Sequence, residues 1–183
     1  MIQNLNKDWK ISVGGFSDVF TADVPCSMYS VLLDRKLIPD PYVGMNEDEA
    51  RELSRRSCVF EKYFTADSDI LGSDRIMLRF NGIDTVSAVY FNSILLGKTD
   101  NMHRTYEYDV SPYISESGTN CIRIEIASPI EYIENADAEK HLWGVASTMT
   151  GYPHLRKGHF YGFNSGIILS FLLYVKRRIL NNL

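Results

Sequence analysis

With 183 residues, 45% of them hydrophobic and 12% aromatic, the chain can bury one sizeable core and reads as a single domain over 1–183. Its 19 Lys and Arg against 23 Asp and Glu leave a formal charge of −4, which offers no positive field to nucleic acid or to an anionic membrane surface. The three cysteines, Cys26, Cys58 and Cys121, are odd in number and lack CxxC spacing, arguing against a disulfide framework or a zinc site and for reduced thiols in the cytoplasm.

In chain order, the first residues, MIQNLNKDWK, carry no apolar core of signal-peptide length, so export by that route is not expected. Trp9–Val13 (WKISV) alternates apolar and polar residues and predicts a strand with one face inward. Met28–Arg35 predicts a short helix capped by Ser27. Asp48–Arg56 predicts a second helix, with acids first and arginines last to suit the helix dipole. Strands follow over Ser57–Thr65, which is rich in β-branched and aromatic residues, and over Arg75–Phe80 (RIMLRF). Thr85–Phe91 and Leu95–Lys98 flank Asn92–Ser93, where an asparagine that tolerates positive φ predicts a tight hairpin. Thr105–Val110 and Cys121–Ala127 alternate again, and Glu131–Leu142 is a weaker helical stretch. The apolar run Ile167–Val175 (IILSFLLYV) is about half of the roughly 20 residues a spanning helix needs, and it predicts a buried strand.

About eight short strands separated by turn signals, with the few helices confined to connections, predict an all-β fold. The expected form is an antiparallel jelly-roll β-sandwich.

One connection stands out. KLIPDPYVGMNE (Lys36–Glu47) fixes its backbone at Pro39 and Pro41, which also push Ile38 and Asp40 away from helical angles, while Gly44 permits a bend. Such built-in stiffness fits either a rigid connector or a segment docked against something else.

No catalytic or metal-binding group emerges from spacing alone. Glu107 and Asp109 share a strand face in the way a solvated sheet surface does. The acids Glu47, Asp48 and Glu49 suit a helix start, and Glu131 with Glu134 a solvated helix edge. His103, His141, His154 and His159 show no HExxH pattern. No glycine loop of phosphate-binding type occurs, so no cofactor is expected, and GFNSG (Gly162–Gly166) has the wrong order for a nucleophile elbow.

A resemblance adds to this reading. VPCSMYSVLLDRKLIPDPYVGMNE (Val24–Glu47) resembles the entry segment of the N-terminal domain of β-mannosidase-like glycoside hydrolases of family 2. Leu5–Ser12, Phe80–Val110 (FNGIDTVSAVYFNSILLGKTDNMHRTYEYDV) and His154–Gly158 (HLRKG) resemble the same domain in the same order. The resemblance implies a galactose-binding-domain-like jelly roll that packs on a catalytic barrel and helps to bind a β-mannoside-type carbohydrate. It also implies a retaining hydrolysis by two glutamates about 5 to 5.5 Å apart. Those glutamates stand on the barrel, which alone takes roughly 250 residues. The chain is therefore expected to lack the catalytic domain.

In that family a segment of the form RKA, a few aromatics, then GWDWGP, reaches from the sandwich to the sugar. The similar stretch here is LRKGHFYGFNSG (Leu155–Gly166), in which Arg156, Lys157 and Gly162 match. Phe163 stands in place of a tryptophan, Asn164 in place of the aspartate and Ser165 in place of a second tryptophan. An Asn carbonyl accepts a hydroxyl less strongly than a carboxylate, by about 1 kcal/mol. The candidate substrate-binding residues are thus Asn164, Phe163, Arg156 and Lys157, with Trp143 as a sugar platform. Arg156 and Lys157 equally suit a solvated basic pair, and Trp143 a loop anchor. The expected function is a sugar-binding-type domain of a β-mannosidase-like or β-galactosidase-like enzyme, without hydrolysis of its own. The alternatives are an autonomous carbohydrate-binding module or a truncated protein without a ligand, and an apolar face left open would favour self-association.

Overall fold

A computed structural model describes residues 1–139 and the strand backbones of Ile167–Ile168 and Phe171–Val175. In chain order these form β1 (Ile2–Asn4), β2 (Trp9–Val13), β3 (Val19–Ala22), α1 (Met28–Asp34), α2 (Asn46–Leu53), β4 (Cys58–Phe64), α3 (Ser68–Leu71) and β5 (Ile76–Phe80). There follow β6 (Ile83–Asp84), β7 (Ser87–Phe91), β8 (Ile94–Thr99), β9 (Tyr106–Asp109), β10 (Asn120–Ile126), α4 (Pro129–Glu139), β11 (Ile167–Ile168) and β12 (Phe171–Val175).

All pairings are antiparallel. A six-stranded sheet runs β3-β2-β4-β10-β7-β8, a four-stranded sheet β1-β12-β5-β9, and β11 pairs with β6. Side chains alternate across each pleat, so Trp9, Ile11 and Val13 of β2 turn inward while Lys10 stays in water. The same alternation sends Ile122, Ile124 and Ile126 of β10 inward. These residues join Ile76, Leu78 and Phe80 of the opposite sheet in one core. The two inner faces meeting in a shared core give the β-sandwich expected from the strand pattern.

The helices sit in connections, as the sequence predicts. Ser27 closes a reciprocal capping box with Ser30 at the start of α1. Just past its end, Lys36 takes a φ of 57°, which lets the Leu37 N–H bond back to the Leu32 carbonyl at 2.9 Å. The hairpin at Asn92–Ser93 also appears, with both residues at positive φ (46° and 69°). The Asn92 side chain secures it by donating to the Tyr113 carbonyl and to Asn120 Oδ1, and by accepting the Cys121 N–H, each at 2.8 Å.

Several elements depart from the sequence-based expectations. The short pieces β1, β3, α3 and β6 do not stand out in the pattern of residues. Within the predicted strand Ile167–Val175 the described residues form β11 and β12, which pair with β6 and β5 in one register, Ile168↔Ile83 and Phe171↔Phe80. No helix among the described residues is long and apolar enough to cross a membrane.

Candidate functional site

The described residues place their most unusual polar group in the core, where β6 leads into β7. Asp84 continues the inward phase of Ile76, Leu78 and Phe80, and it is only 1% exposed. Neither carboxylate oxygen has a hydrogen-bond partner among the described residues. A charge held out of water without a donor is costly, so burial pushes the Asp84 carboxyl up to about 7, well above the ordinary value of 3.8. The carboxyl group thus changes charge near neutrality.

The residues around it are polar but satisfied. Thr85, Ser87 and Thr99 are all buried. The Thr99 hydroxyl donates to the Thr85 carbonyl at 2.7 Å and accepts from Ser87 Oγ at 2.6 Å. Asp84 is therefore not one member of a general polar leak into the core; its neighbours are paired and it stands apart. Close by in sequence, Val86, Ser87 and Ala88 line a depression of about 420 Å³ together with Cys58, Lys98 and Glu125. Asp84 does not line that depression.

Asp84 also marks where the late part of the chain returns. The register Ile167↔Asp84 sets the residue that follows Gly166 directly beside it. Trp143, Arg156, Lys157, Phe163 and Asn164 lie outside the described residues, as do His141, His154 and His159.

The acidic pair on β9 has an ordinary explanation. Asp109 bonds Arg75 at 2.8 Å and accepts the Ser111 hydroxyl at 2.6 Å, and Glu107 faces Arg79 at 3.7 Å. The Ser111 bonds and the Arg75 guanidinium hold the Asp109 carboxyl below its usual range, the reverse of what a general acid needs. Glu134 pairs with Arg55 at 3.1 Å, tying α4 to the end of α2. No group of His, Cys, Asp and Glu among the described residues is placed to hold a metal ion.

Asp84 was legible in one respect. It is an acid in phase with three core positions of FNGIDT and the strand before it, a placement that polar surface residues avoid. The glycine at Gly82 hides this phase by interrupting the alternation.

Residues 8–170 match the family described as glycosyl hydrolase 2 galactose-binding domain-like. The β-mannosidase of Bos taurus is 35% identical over 138 residues, covering 75% of this chain and 15% of its own. That of Mus musculus is 30% identical over 131 residues, covering 72% and 15%. The crystal structure of a β-D-mannosidase from Dictyoglomus thermophilum superposes with a TM-score of 0.82 at 29% identity, over 95% of this chain and 22% of that one. A β-glucuronidase from Bacteroides uniformis, at 13% identity and a TM-score of 0.57, shares the fold alone. The chain thus spans only about 15% of the length of these two curated mannosidases and 22% of the D. thermophilum one.

Proposed function

Because the chain belongs to the glycosyl hydrolase 2 galactose-binding domain-like family, we propose that it serves as the sugar-binding-type domain of a β-mannosidase-like glycoside hydrolase. In this role it packs on the catalytic barrel, closes one side of the sugar pocket and hydrolyses nothing by itself. The observation that carries the proposal is the pair of coverages in the D. thermophilum comparison: nearly all of this chain corresponds to barely more than a fifth of that enzyme.

Sugar contacts in this reading come from the segment carrying Arg156, Lys157, Phe163 and Asn164, with Trp143 as an apolar platform. Its support is the return of the chain at Ile167 beside Asp84. The free state of Cys26, Cys58 and Cys121 supports a cytoplasmic setting.

Calorimetry of the purified chain against mannose, mannobiose and mannan tests the assignment. No binding at millimolar ligand is expected, since the pocket is one-sided without the barrel. Millimolar or tighter affinity in the isolated chain would instead establish an autonomous carbohydrate-binding module.

A further inference from the structure

We infer that Leu37–Met45 is a preformed docking strap for the catalytic part of the same enzyme, an inference that rests on the function proposed above. Three features of the strap lead there: what holds it, what it exposes and how much it exposes.

The strap is held from within. Ile38 is buried and anchors its start. Asp40 then accepts the Tyr42 N–H on Oδ1 at 3.0 Å, while its carbonyl accepts the Val43 N–H at 3.2 Å and Asn46 Nδ2 at 2.9 Å. Gly44 takes a φ of 61°, and the Asn46 N–H closes back on the Val43 carbonyl at 3.2 Å. With Pro39 and Pro41 fixing two more φ angles, little freedom remains to be lost on binding.

What the ordered backbone presents is apolar. Tyr42 is 95% exposed, Met45 77%, Val43 59% and Leu37 43%. A chain that needed only a connector between α1 and α2 would gain solubility from polar residues at these positions. Rigid, exposed Tyr and Met side chains are instead what interface anchors look like.

The size of the patch selects the occupant. Four such side chains expose on the order of 500 Å² of apolar surface, a large patch for a monomer. A stable complex between free molecules needs about 800 Å² per partner, so the strap alone is too small to hold a second copy. A domain on the same polypeptide meets it at an effective concentration in the millimolar range, where a contact of this size suffices. More than three quarters of the solved β-D-mannosidase lies outside the matched region, so a large covalently attached body is available.

The test is oxidative footprinting of Tyr42 and Met45 in two settings: the 183-residue chain alone, and the chain fused ahead of the D. thermophilum β-D-mannosidase in place of its matched portion. The expected result is labelling at least fivefold slower at both residues in the fusion, with Leu95 of β8 unchanged. Protection elsewhere on the chain but not at Leu37–Met45 overturns the strap while sparing the domain assignment. Protection nowhere overturns the assignment itself. Protection that appears in the isolated chain as its concentration rises, with a doubled mass by light scattering, makes a second copy the occupant and overturns the inference. Should the fusion not fold, the two parts are joined through a long flexible linker and the same residues are read. The variant pair Tyr42→Ser and Met45→Ser is expected to speed the labelling of Leu37 in the joined protein at least threefold and to leave the circular dichroism of the isolated chain unchanged.

Discussion

Asp84 makes the stability of the fold depend on pH. Its carboxyl group, at about 7 when folded, returns to the ordinary value near 3.8 when the chain unfolds. Between those values the folded protein holds a proton that the unfolded chain has released, so stability falls as the pH rises through this window. The cost is fully present above pH 7 and absent below the unfolded value. Asp84→Asn keeps the shape and cannot ionise, and it is expected to stabilise the chain by ~1–3 kcal/mol at pH 8. Melting curves of the two proteins should converge as the pH is lowered to 4; a gap independent of pH would remove ionisation from the explanation. At the same scale, the thiol of Cys58 is pushed up to about 12 and that of Cys26 to about 11, both mainly by burial. Cys58 should therefore resist thiol reagents at pH 8 until denaturant is added, as a titration with a chromogenic disulfide would show.

Among the elements, the alternating strands were the most legible part of the sequence. Trp9–Val13 is bounded as its pattern predicts, and Cys121–Ala127 differs by one residue at each end, because one wet face and one dry face leave a period of two in the residues themselves. A strand of two residues leaves no period, which is why β6 went unread and Asp84 with it, and β3 (VFTA) shows no strict alternation. The tight turn at Asn92–Ser93 was legible for a different reason: few residue types tolerate its backbone angles. Asn92 makes both a backbone and a side-chain contribution, and substitution can separate them. Asn92→Gly keeps the positive φ but loses three side-chain hydrogen bonds, with an expected cost of ~1–3 kcal/mol. Asn92→Ala adds backbone strain and should cost about 1 kcal/mol more, measured by urea unfolding. Equal losses in the two variants would show that the side-chain bonds alone matter. The helix cap is a smaller matter: Ser27→Ala should cost ~1 kcal/mol.

For the whole molecule, composition and pattern were enough to reach a sandwich, whereas the site could be read only through likeness to a family. The physical reason is that a fold is encoded redundantly over many core positions, while a binding site depends on a few residues that obey no period. The residues carried over from that family, Asn164 and Arg156 among them, fall in the part of the chain outside the described residues. Function at this scale is open to a direct measurement. The purified chain should not hydrolyse an aryl β-mannoside above the rate of buffer, and chain-dependent turnover would place a complete acid and nucleophile pair within these 183 residues.

The place of β12 between β1 and β5 has a consequence for synthesis on the ribosome. Among the described residues β1 pairs only with β12, so Ile2–Asn4 must wait, unzipped, until Phe171–Val175 has been made. Loop closure over so long a span is slow, and the exposed flank of β5 remains open during the delay. A nascent chain halted before Phe171 should consequently be a preferred client of chaperones, and release of a few further residues should end that dependence.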